Sequence, residues 1–239
     1  MCYMFFIGPP FGNYIDLPKI VPITGSYTLL PRPGLFKQIL LTLRYNFIHK
    51  DWVNKIGLRN NGIDYGIKHH KDDSIMSVAI MNPSEIPILL DKIPDNMNIE
   101  INISCPNVND EKKWVRPEML KGFLNEKRDW CIIKLNPTVN YGLIDQYYNT
   151  GFRQFHCSNT VPVPQGGLSG ALVKKHNRCL IPYIKHKYHD VTVIGGGGIK
   201  RYSDVKEYQK MGADHFAFSS VVFCPYLFFH LYRELNAKK

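Results

Sequence analysis

The run VTVIGGGGIKRYSDVKEYQKMGADHFAFSS, Val191 to Ser220, decides how this chain is read. Val191 to Ile194 is a short, β-branched apolar strand, and Gly195-Gly196-Gly197-Gly198 breaks it. Val205 to Met211 repeats apolar residues at helical spacing, and Gly212 stops that helix. His215 to Phe218 is a second strand, ending at Ser219-Ser220. Strand, helix and strand in this order make a parallel pair.

The same unit recurs on both sides. Towards the N-terminus, Phe152 to His156 reads as a strand, followed by a Gly/Pro-rich loop and a helix over Ala171 to His186. Before it come a strand at Cys131 to Leu135 and a helix from Tyr141 to Tyr148 closed by Gly151. Further back, Ile99 to Ile103 is a strand with a helix at Pro117 to Phe123, and Ile75 to Ile80 is a strand with a helix at Pro83 to Leu90. Met4 to Ile7 and Ile20 to Thr24 are the first two strands. Leu35 to Ile48 is read as their helix, with Leu35, Phe36, Ile39, Leu40, Leu43 and Phe47 at helical spacing, and a loop spans Asn54 to Asn61. Tyr226 to Leu235 closes the chain. Eight strands alternating mostly with helices predict a (β/α)₈ barrel, for which about 250 residues is typical; the chain has 239. One domain over 1–239 is expected. An open doubly wound sheet needs a G-x-G-x-x-G turn after the first strand, and Gly8-Pro9-Pro10-Phe11-Gly12 is not one.

Composition narrows the class. Hydrophobic residues at 44% and charged residues at 21% are those of an ordinary globular protein. No stretch reaches the ~18 apolar residues of a membrane span, and no basic region precedes an apolar signal core. Six cysteines lie scattered without a C-x-x-C pair. That argues against a metal site or disulfide framework and for a reducing, cytoplasmic location. The net charge of +10 favours anionic partners. No nucleic-acid motif accompanies it, and neither a nucleic acid nor a membrane is expected as partner.

In such barrels chemistry sits where strands end. Asn102-Ile103-Ser104-Cys105-Pro106-Asn107 presents two outer amides, a hydroxyl and a thiol within six residues. A lone cysteine is ordinarily a small buried hydrophobe, but flanking asparagines suit a site that hydrogen-bonds a polar ligand. Lys134 lies mid-strand among Ile132, Ile133 and Leu135. A barrel strand is covered on both faces, so this lysine is expected to meet an anion rather than solvent. Glycines and serines after the last two strands match the usual phosphate site of these barrels, although glycine runs also serve as plain tight turns.

These residues resemble the dihydroorotate dehydrogenases, flavin mononucleotide (FMN) enzymes on a (β/α)₈ barrel, from about Ile23 to Ser220. Asn102 to Asn107 resembles the family signature, Asn54-Lys55-Ile56-Gly57-Leu58 its substrate loop, and Ile133-Lys134-Leu135 its flavin lysine. Asn159-Thr160, Gly166 to Gly170 and Ile194 to Ile199 also fit. The resemblance implies Cys105 as general base towards C5 of dihydroorotate, with hydride passing to FMN. It implies Asn54, Asn102, Asn107, Asn159 and Thr160 around the substrate, with backbone of Gly57 and Leu58. It implies Lys134, Asn102 and Ser26 beside the flavin, and Gly170, Gly197, Gly198, Ser219 and Ser220 along ribityl and phosphate. A cysteine in place of serine points to the soluble class, and a homodimer is expected. The chain departs from the family in its first-strand loop and at Gly25-Ser26, where relatives often carry a lysine. Two other readings share the features: a flavin-dependent tRNA dihydrouridine synthase, and a flavin-binding barrel without turnover. Four asparagines suit a small polar ring better than tRNA. The electron acceptor stays open among fumarate, a nicotinamide reached through a partner subunit, and other oxidants.

Overall fold

The computed structural model describes residues 3–103 and 115–237. In chain order, β1 (Phe5–Ile7) and β2 (Ile20–Tyr27) are followed by α1 (Leu35–Thr42), β3 (Arg44–Asn46), β4 (Asp51–Asn54) and α2 (Ile63–Lys68). Next come β5 (Ile75–Ala79), α3 (Ile86–Lys92), β6 (Ile99–Asn102), β7 (Cys131–Leu135) and α4 (Tyr141–Thr150). The last third holds β8 (Gln154–Cys157), β9 (Val161–Val163), β10 (Gly166–Leu168), α5 (Ala171–Lys187), β11 (Thr192–Gly196), α6 (Tyr202–Met211), β12 (His215–Phe218) and α7 (Pro225–Ala237). The strands β1, β12, β11, β8, β7, β6, β5 and β2, in that order, close an eight-stranded barrel, each neighbouring pair parallel. This is the (β/α)₈ barrel that the alternation of elements predicts.

Strand period two sorts each barrel strand into an outer and an inner face. Outward residues such as Ile7, Val78, Ile101, Ile133, Phe155 and Val193 pack with helix residues such as Leu89, Ile184 and Tyr208. Inward, Phe6, Ile23, Ile75, Ile132, Ile194 and Ala217 form a separate apolar plug. Fully burying one Ile or Phe side chain is worth roughly 1.5–3 kcal/mol, so this plug is a major anchor of the closed barrel. The next inward positions are polar: Ser77, Glu100, Lys134 and His156 are all buried.

Three sequence expectations are corrected. The helix expected over Leu35 to Ile48 ends at Thr42, and the chain turns back as an antiparallel pair, β3 with β4. The backbone turns extended at Leu43, and Asn46 then makes the hairpin turn: its Oδ1 accepts the N–H groups of Ile48 and His49 at 3.0 Å each, an Asx turn that helical spacing alone does not reveal. The Gly/Pro-rich loop after β8 contains a hairpin, β9–β10, which joins β4 and β3 in a four-stranded sheet over the barrel. Pro162 is tolerated because β9 is the edge strand. Pro117–Phe123 is a 3-10 helix rather than an α-helix.

Candidate active site

The C-terminal ends of the strands enclose a cleft lined by Lys134, Asn159, Thr160, Gly170, Gly197, Gly198, Ser219 and Ser220, with His156 at its floor. Eight residues singled out in the sequence therefore meet in one place. Cys105 and Asn107 lie outside the described residues.

Beneath the cleft is a charge cluster that the sequence reading missed. Glu100 is fully buried. Its Oε1 accepts from Lys134 Nζ at 3.2 Å and from the Ser77 hydroxyl at 2.9 Å, and its Oε2 meets His156 Nδ1 at 2.5 Å. Lys134 thus meets an anion, as a mid-strand lysine should, but the anion is supplied by the protein. Burial alone would raise the Glu100 carboxyl; Lys134, His156 and Ser77 outweigh it and hold it down at about 2. Burial lowers the His156 imidazole below its ordinary value, against the pull of Glu100. A neutral ring facing an ionised carboxylate carries its proton on Nδ1, which leaves Nε2 as an acceptor. Nε2 lies 2.9 Å from where a Cβ on Gly196 would stand, so the neighbouring strand, β11, must be bare there.

The ionised end also fixes the direction of a longer chain of hydrogen bonds. Ser77 donates to Glu100, so in the 2.7 Å contact between Ser26 and Ser77 the donor is Ser26. Ser26 in turn accepts from Asn102 Nδ2 at 3.1 Å, and Asn102 Oδ1 accepts from Asn159 Nδ2 at 3.3 Å. Asn102 and Ser26 are buried and belong to this chain rather than to the cleft lining. A path of side chains therefore runs from the cleft at Asn159 to the buried carboxylate.

The small antiparallel sheet brings in the remaining loop. Gly167 on β10 pairs with Asn54 on β4 and packs against Thr160, which brings the end of β4 close to the cleft wall. The Asn54 side chain accepts the Ile56 N–H at 3.3 Å, and Arg32 Nε and Asn60 Nδ2 hold the carbonyls of Gly57 and Leu58. The substrate-type loop is thus secured next to the cleft, though its residues do not line it. The departures from the family pattern have a structural account. Asn13, from the loop after β1, holds both the N–H and the carbonyl of Gly25. Gly12 packs so tightly on Ile23 that a Cβ would stand 2.2 Å from its carbonyl oxygen.

Whether a phosphate-bearing flavin suits these residues is tested by the glycines. At Gly170 (φ +86°) a Cβ would fall 1.9 Å from the Asp51 carboxyl carbon, at Gly197 (φ +98°) 2.3 Å from Val173, and at Gly198 (φ +73°) 2.7 Å from the Gly170 carbonyl. The turns after β10 and β11 are pressed together backbone to backbone, which leaves main-chain groups and the Ser219 and Ser220 hydroxyls at the cleft wall. This donor set, with Lys134, fits an anionic cofactor. Asp51 secures the arrangement: its Oδ2 accepts from the Ala171 N–H at the start of α5 and from Lys200 Nζ. Gly170→Ala is expected to cost at least about 1–3 kcal/mol in urea denaturation through overpacking. Gly34→Ala, at a similar left-handed φ of +95° but with nothing within 4 Å, supplies the control for backbone strain alone. Equal losses in the two variants would show that the contact with Asp51 is yielding.

Fold and cleft define a (β/α)₈-barrel protein with a polar, glycine-lined cleft at its strand ends. No protein-family model matches the chain. Among curated proteins it is 30% identical over 241 residues to the dihydroorotate dehydrogenase B (NAD(+)) catalytic subunit of Petrotoga mobilis, covering 87% of this chain and 78% of that protein. It is 28% identical over 242 residues to the same subunit of Geotalea daltonii (87% and 77% covered) and 27% over 247 residues to that of Bacteroides thetaiotaomicron (87% and 78%). Among solved structures, a dihydroorotate dehydrogenase from Eimeria tenella in complex with ferulenol shares the fold, with a TM-score of 0.72 at 17% identity over 97% of this chain and 80% of that one. The chain belongs to the dihydroorotate dehydrogenase family, a family of oxidoreductases.

Proposed function

We propose that this chain oxidises dihydroorotate to orotate, a step of pyrimidine biosynthesis, with FMN as its cofactor. What most supports this reading is the gathering of Lys134, Asn159, Thr160 and the Gly170, Gly197 and Gly198 turns in one cleft above a buried counter-ion. FMN, when bound, supplies a hydride acceptor. Gly170, Gly197, Gly198, Ser219 and Ser220 hold its phosphate and ribityl chain through main-chain and hydroxyl donors. Lys134, tethered by Glu100 and 8% exposed, keeps a positive charge at the cleft floor for the negative charge that reduction creates. Asn102 and Ser26 orient this face through their link to Ser77. Asn159 and Thr160 at the cleft, with Asn107, bind the substrate ring and carboxylate; Asn102 positions Asn159 through their hydrogen bond, and the loop of Asn54, Gly57 and Leu58 borders them. Cys105 removes the C5 proton, since a thiol is partly ionised near neutral pH. Two copies of the chain form the working unit.

The cofactor assignment is tested by incubating the protein with FMN, desalting it and recording the visible spectrum. One retained, non-covalent flavin per chain is expected; a protein that remains colourless contradicts it. Lys134→Ala is expected to slow flavin reduction in stopped-flow measurements. The same change lowers stability, because Glu100 loses its lysine partner. Reduction at the wild-type rate would remove Lys134 from the site.

A further inference from the structure

From Leu17 to Lys50 the chain contains no acidic residue, yet it carries Lys19, Arg32, Lys37, Arg44 and Lys50. With 20 Asp and Glu in 239 residues, about three would be expected over such a length. The same segment holds the most exposed apolar side chains of the described structure. On α1, Phe36 is 78% and Leu40 86% exposed; at the tip of the β3–β4 turn, Phe47 is 82% and Ile48 88% exposed. No residue of α1 is buried, although the helix has a well-formed apolar side. Isolated exposed hydrophobics need no explanation, but four such side chains within the short stretch from Phe36 to Ile48 do.

The protrusions are firmly seated. Gln38 Nε2 donates to the Lys55 carbonyl at 2.9 Å and Thr42 Oγ1 accepts the Lys55 N–H at 3.1 Å, which joins α1 to the end of β4. Tyr45 packs edge-on against both Phe47 and Trp52, and Trp52 packs on Phe223 at the mouth of the barrel. Phe47 and Ile48 are therefore held out from a rigid base. Among the described residues, Lys37, Arg44 and Lys50 form no ion pair. The one acid that follows, Asp51, is buried and bonded to Lys200.

We propose that α1 and the β3–β4 tip form a peripheral docking surface for an anionic lipid bilayer. Exposed apolar side chains beside Lys37, Arg44 and Lys50 are what interfacial binding requires: shallow insertion of the Phe, Leu and Ile groups and attraction of lysine and arginine to lipid phosphates; Asp16, which shares a cleft with Phe36, is paired with Lys71. A second copy of the chain is a poorer occupant, because pairing two such faces would bring like charges together. The attachment is to the surface; no helix of the described residues is long and apolar enough to cross a membrane.

The test is sedimentation of the full chain with vesicles of phosphatidylcholine alone and of phosphatidylcholine with phosphatidylglycerol. The protein is expected to pellet with the anionic vesicles, to remain in solution with the neutral ones, and to be released by high salt. Lys37→Glu and Arg44→Glu are each expected to weaken anionic partitioning about fivefold or more. The double change Phe47→Ser with Ile48→Ser is expected to weaken it about tenfold or more, with only a small drop in thermal midpoint, because both side chains are exposed and the edge contact of Phe47 with Tyr45 is the packing lost. Three results overturn the proposal. One is no binding to anionic vesicles. Another is equal binding by the double variant, which would reflect general basicity. The third is a solution dimer or a defined protein complex that the double variant dissolves while vesicles leave the wild type in the supernatant.

Discussion

Replacing Glu100 with glutamine is expected to destabilise the protein by about 3–5 kcal/mol, the cost of leaving one partner of a buried ion pair without its counter-charge. Lys134 and His156 both bond to this carboxylate, and Glu100 has no exposed side-chain surface through which water could compensate. Urea denaturation of the variant reads the loss directly. Glu100→Gln combined with Lys134→Met is expected to recover a substantial part of it, because removing both charges is far less costly than removing one. An additive loss in the double variant would mean that the two side chains do not act as a pair. The pH dependence follows from the same group. Its folded carboxyl lies at about 2 against an ordinary 4.5, so its stabilising contribution is complete above about 4.5 and is lost as pH falls towards 2. His156 adds in the same direction: its folded value is lowered, so the neutral ring favours the fold at neutral pH and protonation in acid opposes it. In Glu100→Gln the acid-side slope due to the carboxylate disappears.

Cys105→Ala is expected to slow flavin reduction by dihydroorotate by about 10²–10⁴-fold, the usual contribution of a positioned general base. Cys105→Ser should retain more activity at high pH, since a hydroxyl serves as base only when it is helped to lose its proton. Substrate binding should survive both changes, because asparagines rather than the thiol are proposed to hold the ring. Anaerobic stopped-flow on wild type and both variants separates binding from reduction. An alanine variant that reduces the flavin at the wild-type rate would make the thiol a packing residue.

The barrel was legible because its evidence is local. Short apolar runs punctuated by glycine at Gly151 and Gly212 mark strand and helix ends whatever lies beside them, and both glycines adopt the left-handed conformation at helix ends. The clustering of Lys134, Asn159, Gly170, Gly197 and Ser219 followed from the rule that strand ends converge. Glu100 was missed for a definable reason. Ile99-Glu100-Ile101 looks like a strand with one wet face, whereas a barrel strand has none, so an alternating acid there is an inward one. Read with Lys134 on the neighbouring strand, the pair was within reach of the sequence. The β3–β4 hairpin was not. Leu43 and Phe47 continue the helical spacing of α1, and only the extended backbone at Leu43 and the pairing of β3 with β4 show where the helix stops. His156 owes its role to a contact between β6 and β8, which no local pattern announces.

The most direct test of the proposed chemistry is the anaerobic visible spectrum of the FMN-loaded protein before and after dihydroorotate is added. Loss of the oxidised flavin band, with orotate formed in equal amount, is the predicted result. A flavin that stays oxidised with saturating dihydroorotate, in protein shown to bind it, would contradict the account and leave a flavin-binding barrel that does not turn over.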